Sequence, residues 1–164
     1  MGVPAGWKSI DRAEALVLVQ RVASLNPQIG TLVQTMAGNG SLIKLVTYDP
    51  HLIAGFATNA NIVAQPSPGS SISSVVTLEL PLLRQVLHPI GLKRTAIRVA
   101  GRPANEISFN ARFNGPSGAA LVDETQIYMI DKGMLYVLTL TTLPAQRTAY
   151  AATFAAIVKS LSFG

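Results

Sequence analysis

Between Lys93 and Thr142 the chain reads as four strands separated by short turns, and this pattern restricts the fold more than any other feature. Lys93–Val99 places Thr95, Ile97 and Val99 on one face and Arg94, Ala96 and Arg98 on the other. Gly101-Arg102-Pro103 reads as a turn. Asn105, Ile107, Phe109, Ala111 and Phe113 then alternate with Glu106, Ser108, Asn110 and Arg112. Asn114 to Gly118 reads as a hairpin loop. Gln126–Asp131 and Met134–Thr142 read as two further strands, joined at Asp131-Lys132-Gly133 by a tight hairpin signal. Parallel neighbours would need crossovers of roughly a dozen residues or more, so these strands must pair antiparallel.

The flanking segments supply helices and more strands. Val3-Pro4-Ala5-Gly6-Trp7 reads as an edge strand or turn with an aromatic anchor. Asp11 with Glu14 forms a capping-box pattern that opens a helix over 11–24, and Asn26-Pro27 opens a second helix carrying Ile29, Leu32, Val33 and Met36 up to Gly38. Leu42–Tyr48 predicts a strand ended by Asp49-Pro50, and Phe56 to Gln65 keeps a period of two. Gln65 to Ser74 reads as a surface loop. Leu82, Leu83, Val86 and Leu87 suit a helix within 75–89, with Pro81 in its first turn or kinking it and Gly91 closing it. Pro144 opens a last helix whose Tyr150, Phe154, Ile157, Val158 and Leu161 form one apolar face, expected to be a buried seam. The order predicts an α+β chain: one central antiparallel sheet flanked by helices, a single domain over residues 1–164.

Composition excludes several classes. Apolar residues make up 49% of the 164 and charged residues only 13%, which is the opposite of a disordered chain. Cysteine is absent, so no disulfide, thiolate metal site or cysteine nucleophile is available. The longest apolar run falls short of the roughly 18–20 residues that a membrane-spanning helix needs. The first residues lack the basic and apolar regions of a signal peptide, which leaves two readings, a cytosolic chain or one trimmed of an upstream segment.

Five segments in order carry a family resemblance: PAGWKSI near the start, FATNANIV, VAGRPANEISF, the hairpin QIYMIDKGMLYVLTLTT and the closing YAATFAAIVKSLSF. Together they resemble the PsbP-like superfamily, nearest to the LpqN-type bacterial lipoproteins and related secreted domains. The resemblance covers nearly the whole chain. It implies a PsbP-like α/β/α sandwich, a non-catalytic accessory or binding role, no cofactor, and an extracytoplasmic location, in the cell envelope or secreted. On that reading a signal segment belongs upstream of Met1. No catalytic residues carry over, because the family has no shared catalytic motif. The photosystem role of plant members does not carry over either, because the second helix after Asn26-Pro27 departs from their pattern.

Charge gives the one site expectation. The chain is +5 at neutral pH, and the window from Arg84 to Arg112 holds that whole excess, with Glu106 its single acid. Arg94 and Arg98 share a strand face, and Arg112 is placed with them on a neighbouring strand. The three are expected to meet an acidic protein or an anionic surface. Nucleic acid is not expected, since aromatics are not interleaved and no known reader module is present. Asp49 and His51 could be two ligands of a metal, but a third is not visible, so no metal site is expected. His88 reads as a helix-end residue and Trp7 as a core or edge-cover residue. Ser67, Ser70, Ser71, Ser73 and Ser74 sit in a loop without a nucleophile elbow, so no catalytic residue is expected. The alternatives are a carrier of an apolar ligand and, less favoured, a hydrolase that uses His51 or His88 with a carboxylate.

Overall fold

Period-two segments joined by short turns pair with one another, and in the computed structural model they do so as one sheet. The structure describes residues 1–10, 14, 17, 42–67, 69, 71–115 and 118–162. Its strands are β1 (Lys8–Ile10), β2 (Leu42–Tyr48), β3 (Asn59–Pro66), β4 (Ile90–Val99), β5 (Arg102–Gly115), β6 (Gly118–Asp131) and β7 (Met134–Thr142). Helix α1 (Ile72–Leu87) lies between β3 and β4, and α2 (Arg147–Lys159) follows a 3-10 turn at Pro144–Gln146. The strand order is β1-β2-β3-β7-β6-β5-β4, with every pair antiparallel. The α+β expectation holds.

Two hairpins fix the register of the second half. Ala100 and Gly101 join β4 to β5 with φ of +48° and +77°, and Lys132 and Gly133 join β6 to β7 with φ of +48° and +75°. Positive φ at both central residues gives a turn whose twist matches the flanking strands. Pairing therefore starts at once, with Val99 opposite Arg102 and Asp131 opposite Met134. Arg102 and Pro103 thus belong to β5 rather than to the turn that the sequence indicates.

Alternation then sorts side chains onto two faces. On one face Ala60, Ile62, Ile127, Met129, Leu138 and Leu140 pack under Ile157 and Leu161, with Trp7 and Phe154 partly buried at the margin. On the other, Ile107, Phe109, Ala111, Val122 and Leu135 pack under Val75, Val76 and Leu83 of α1. Each fully buried aliphatic side chain contributes about 1.5–3 kcal/mol of transfer energy. The seam along α2 is centred on Ile157, whereas Tyr150 and Phe154 are only half-buried, lying where the helix meets Trp7.

Local chemistry moves some expected boundaries. Ser71 accepts a hydrogen bond from the Ser74 amide at 3.2 Å and caps α1, so the helix starts at Ile72, inside the stretch read as loop. Pro81 consequently sits in the helix interior rather than in its first turn. The helix ends at His88, which takes the left-handed conformation at φ 45°, not at Gly91, which lies inside β4. β6 begins at Gly118, eight residues ahead of the strand read from the sequence, because β5 and β6 stay in register from the Gly115↔Gly118 pair onward. The helices read over 11–24 and after Asn26-Pro27 lie outside the described residues, except that Glu14 and Val17 are helical and exposed.

Candidate functional site

β4 ends the sheet, and its side chains divide by parity. Ile97 and Val99 join the core under α2, so Arg94, Ala96 and Arg98 lie on the α1 face. α1 covers β5 and β6 there and leaves β4 at the margin, which opens a cleft of about 780 Å³ lined in part by Ile72, Ser73, Arg94, Ala96, Arg98 and Asn105. Arg94 Nε donates to Asn105 Oδ1 at 2.9 Å, and its Nη2 donates to Ser73 Oγ at 3.0 Å. Arg98 Nη2 donates to the Gly101 carbonyl.

Neither guanidinium meets a carboxylate among the described residues. Arg102 differs, since it pairs with Asp131, and so does Arg147, 3.1 Å from Asp123. α1 adds to the positive potential of the cleft. Its N-terminus carries the partial positive charge of the helix dipole, and its first turn holds no acid. The arrangement can grip an anion through planar donors backed by the helix end.

Arg112 does not join them. Arg94 lies opposite Ile107, so the odd-numbered residues of β5 share its face. Arg112 therefore falls on the α2 face, opposite Leu121. The expected three-arginine patch resolves into a pair on one face and a single arginine on the other, because a step of five residues along a strand reverses the side.

Asp49 and His51 do come together. Asp49 Oδ1 accepts from the His51 amide and lies 2.9 Å from its Nδ1, while Oδ2 accepts from the Tyr150 hydroxyl at 2.7 Å. The His51 amide and Tyr150 hydroxyl hold the Asp49 carboxyl below its usual range, and the Asp49 bond raises the tyrosine. The His51 side chain is 87% exposed whereas that of Asp49 is 15% exposed, and both lie outside the cleft. Its geometry is that of a turn tied to α2. No group of three potential metal-ligating side chains occurs among the described residues. His88 caps α1 through its backbone amide, bonded to the Arg84 carbonyl at 3.2 Å, and Ser71 caps the other end.

A buried polar row runs along β6 that no sequence motif marks. Tyr128 donates to Gln126 Oε1 and Gln126 Nε2 donates to Glu124 Oε1, each at 2.6 Å. Glu124 is 4% exposed, and burial pushes its carboxyl up to about 7. Burial also raises Glu79 of α1, and burial, with smaller contributions from Glu79 and Glu124, raises Tyr128. The signal in the sequence is the alternation of Glu124, Gln126 and Tyr128 with Thr125 and Ile127, and it is faint because the buried side carries the polar residues.

No family model matches the chain, and no curated protein matches it. Solved structures do. PA94 of Pseudomonas aeruginosa, a protein of unknown function, superposes with a TM-score of 0.61 at 19% identity, over 73% of this chain and 81% of its own. LpqN of Mycobacterium tuberculosis, involved in cell envelope biogenesis, gives 0.51 at 12% identity over 98% and 79%. The cyanobacterial PsbP of Synechocystis gives 0.51 at 13% over 96% and 81%. With its seven-stranded antiparallel sheet between helices, the chain has the PsbP-like fold.

Proposed function

We propose that the chain is an extracytoplasmic accessory domain, non-catalytic and a single unit over residues 1–164, that binds an acidic partner through Arg94 and Arg98. One observation carries the reading: Arg94 and Arg98 line one cleft together with Ile72 and Ser73 of α1, and no described carboxylate neutralises either. Holding the Arg94 charge at Ser73 beside the positive end of a helix is unfavourable, and an incoming anion relieves it. The location is supported by the likeness to LpqN, which is involved in cell envelope biogenesis. No described helix is long and apolar enough to cross a membrane. Binding is favoured over catalysis because the histidine–carboxylate contact at His51 is solvent-open and outside the cleft.

The test is retention on immobilised polyglutamate at low ionic strength. The native chain is retained and released by salt, as expected for contacts that depend on charge. Exchanging Arg94 and Arg98 together for Glu abolishes retention and leaves the circular dichroism spectrum intact. Exchanging Arg112 alone changes retention little. Equal retention of the native and doubly exchanged chains would overturn the reading.

A further inference from the structure

The two edges of the sheet are protected unequally. β1 is three residues long and too short to template another strand. β4 is ten residues long, seven of them exposed, with Ile90 at 53%. Its N-terminal end is broken by an irregularity between Ile90 and Lys93, but Lys93 to Val99 pairs with β5 without interruption. Alternate N–H and C=O groups along this run point away from the sheet. Basic side chains flank them: Arg94 and Arg98 on the α1 face, Lys93 on the other.

We propose that β4 is a docking edge that takes up an extended acidic segment of a partner polypeptide as an added strand. This rests on the reading of Arg94 and Arg98 given above and names the form of their partner. Charge complementarity selects the occupant. A second copy of β4 would bring arginine against arginine, and like charges across a strand pair are destabilising. An acidic strand instead sets carboxylates beside arginines whose planar fork suits them. Backbone pairing supplies affinity and the alternate side chains supply register. Arg94 and Arg98 are four residues apart on one face with Ala96 between them, so the fitting segment has acids at i and i+4 and a small residue at i+2.

The experiment uses three kinds of synthetic peptide of equal charge, titrated against the intact chain by fluorescence anisotropy. The first has Glu at i and i+4 with Ala at i+2. The second moves one Glu to i+3, which puts the acids on opposite faces. The third group repeats the first peptide with N-methyl groups on one or the other alternate set of amides. The expected result is binding of the first, about tenfold or more weaker binding of the second, and loss of binding for only one of the two N-methylated sets. Replacing Arg94 and Arg98 by Gln weakens the first peptide without unfolding the chain. Equal affinity of all peptides would mean attraction without strand pairing, overturning this inference while leaving the arginine reading in place. Arginine-dependent retention on polyglutamate with no peptide binding would do the same. No salt-sensitive binding of either kind would overturn both. Concentration-dependent dimerisation of the chain that the first peptide competes away would assign the edge to a second copy and overturn the inference. Binding to anionic vesicles but to no peptide would assign the arginines to a lipid surface and overturn it as well.

Discussion

The two faces of the sheet are cut from the same strands, yet they bury their polar groups differently. Under α2 the central rows are aliphatic, with Ala60, Ile62, Leu138, Leu140, Ile127 and Met129 forming one apolar layer. Under α1 an apolar layer is present too, but Glu124 and Tyr128 are buried with it and joined through Gln126. The aliphatic rows follow from transfer energy alone, and the acids buried on that face, Asp123 and Asp131, sit at the two ends of the β6–β7 ladder, paired with Arg147 and Arg102. The second shows that polar groups can share a core when each finds a hydrogen-bond partner, and that burial shifts the protonation of one that is ionisable. At the margin of this same face, where α1 no longer covers β4, Arg94 and Arg98 reach solvent.

The largest test of this contrast lies in the apolar layer. Leu138 is fully buried at the centre of β7, so Leu138→Ala should cost about 2–5 kcal/mol in chemical denaturation. A loss below about 1 kcal/mol would mean that the layer under α2 is not the continuous core described.

The next test separates the faces by pH. Glu124 keeps its proton in the fold up to about 7, whereas in the unfolded chain it ionises near 4.5. Its contribution is fully present below 4.5, falls as pH rises from 4.5 to 7, and is gone above that. The size is roughly 3 kcal/mol for a buried group. Glu79, which approaches from α1, and Asp123, which lies under Arg147, are raised by burial and act in the same direction. Asp49, held low, acts in the opposite direction, losing stability only at acid pH below its usual value. Glu124→Gln should therefore flatten most of the decline between pH 4.5 and 7 in denaturation midpoints. An unchanged slope would assign the decline to Glu79 or Asp123 instead.

The smallest effect supplies a reference that touches neither face. Ala100 is exposed and held at φ +48° in the β4–β5 hairpin, a conformation that suits Asn better than Ala. Ala100→Asn should raise stability by about 0.5–1 kcal/mol without altering polyglutamate retention. A fall in stability would mean that this turn is not set by its backbone conformation.

Local geometry is legible in the residues alone. Alternation from Asn105 to Phe113, the Lys132-Gly133 turn and the run Met134–Thr142 each depend on neighbours one to four residues away, and each appears in the structure as read. The shared face of Arg94 and Arg98 is local in the same sense, being fixed by two steps along one strand. Tertiary structure decided what depends on partners distant in sequence. The register of β4 on β5 put Arg112 on the opposite face, and pairing with β5 extended β6 back to Gly118. Packing under α1 made Glu124 a buried acid, a property that no window around Asp123-Glu124-Thr125 contains. The physical reason is that side-chain direction follows from backbone periodicity, whereas burial and pairing across strands are fixed only when separate segments meet.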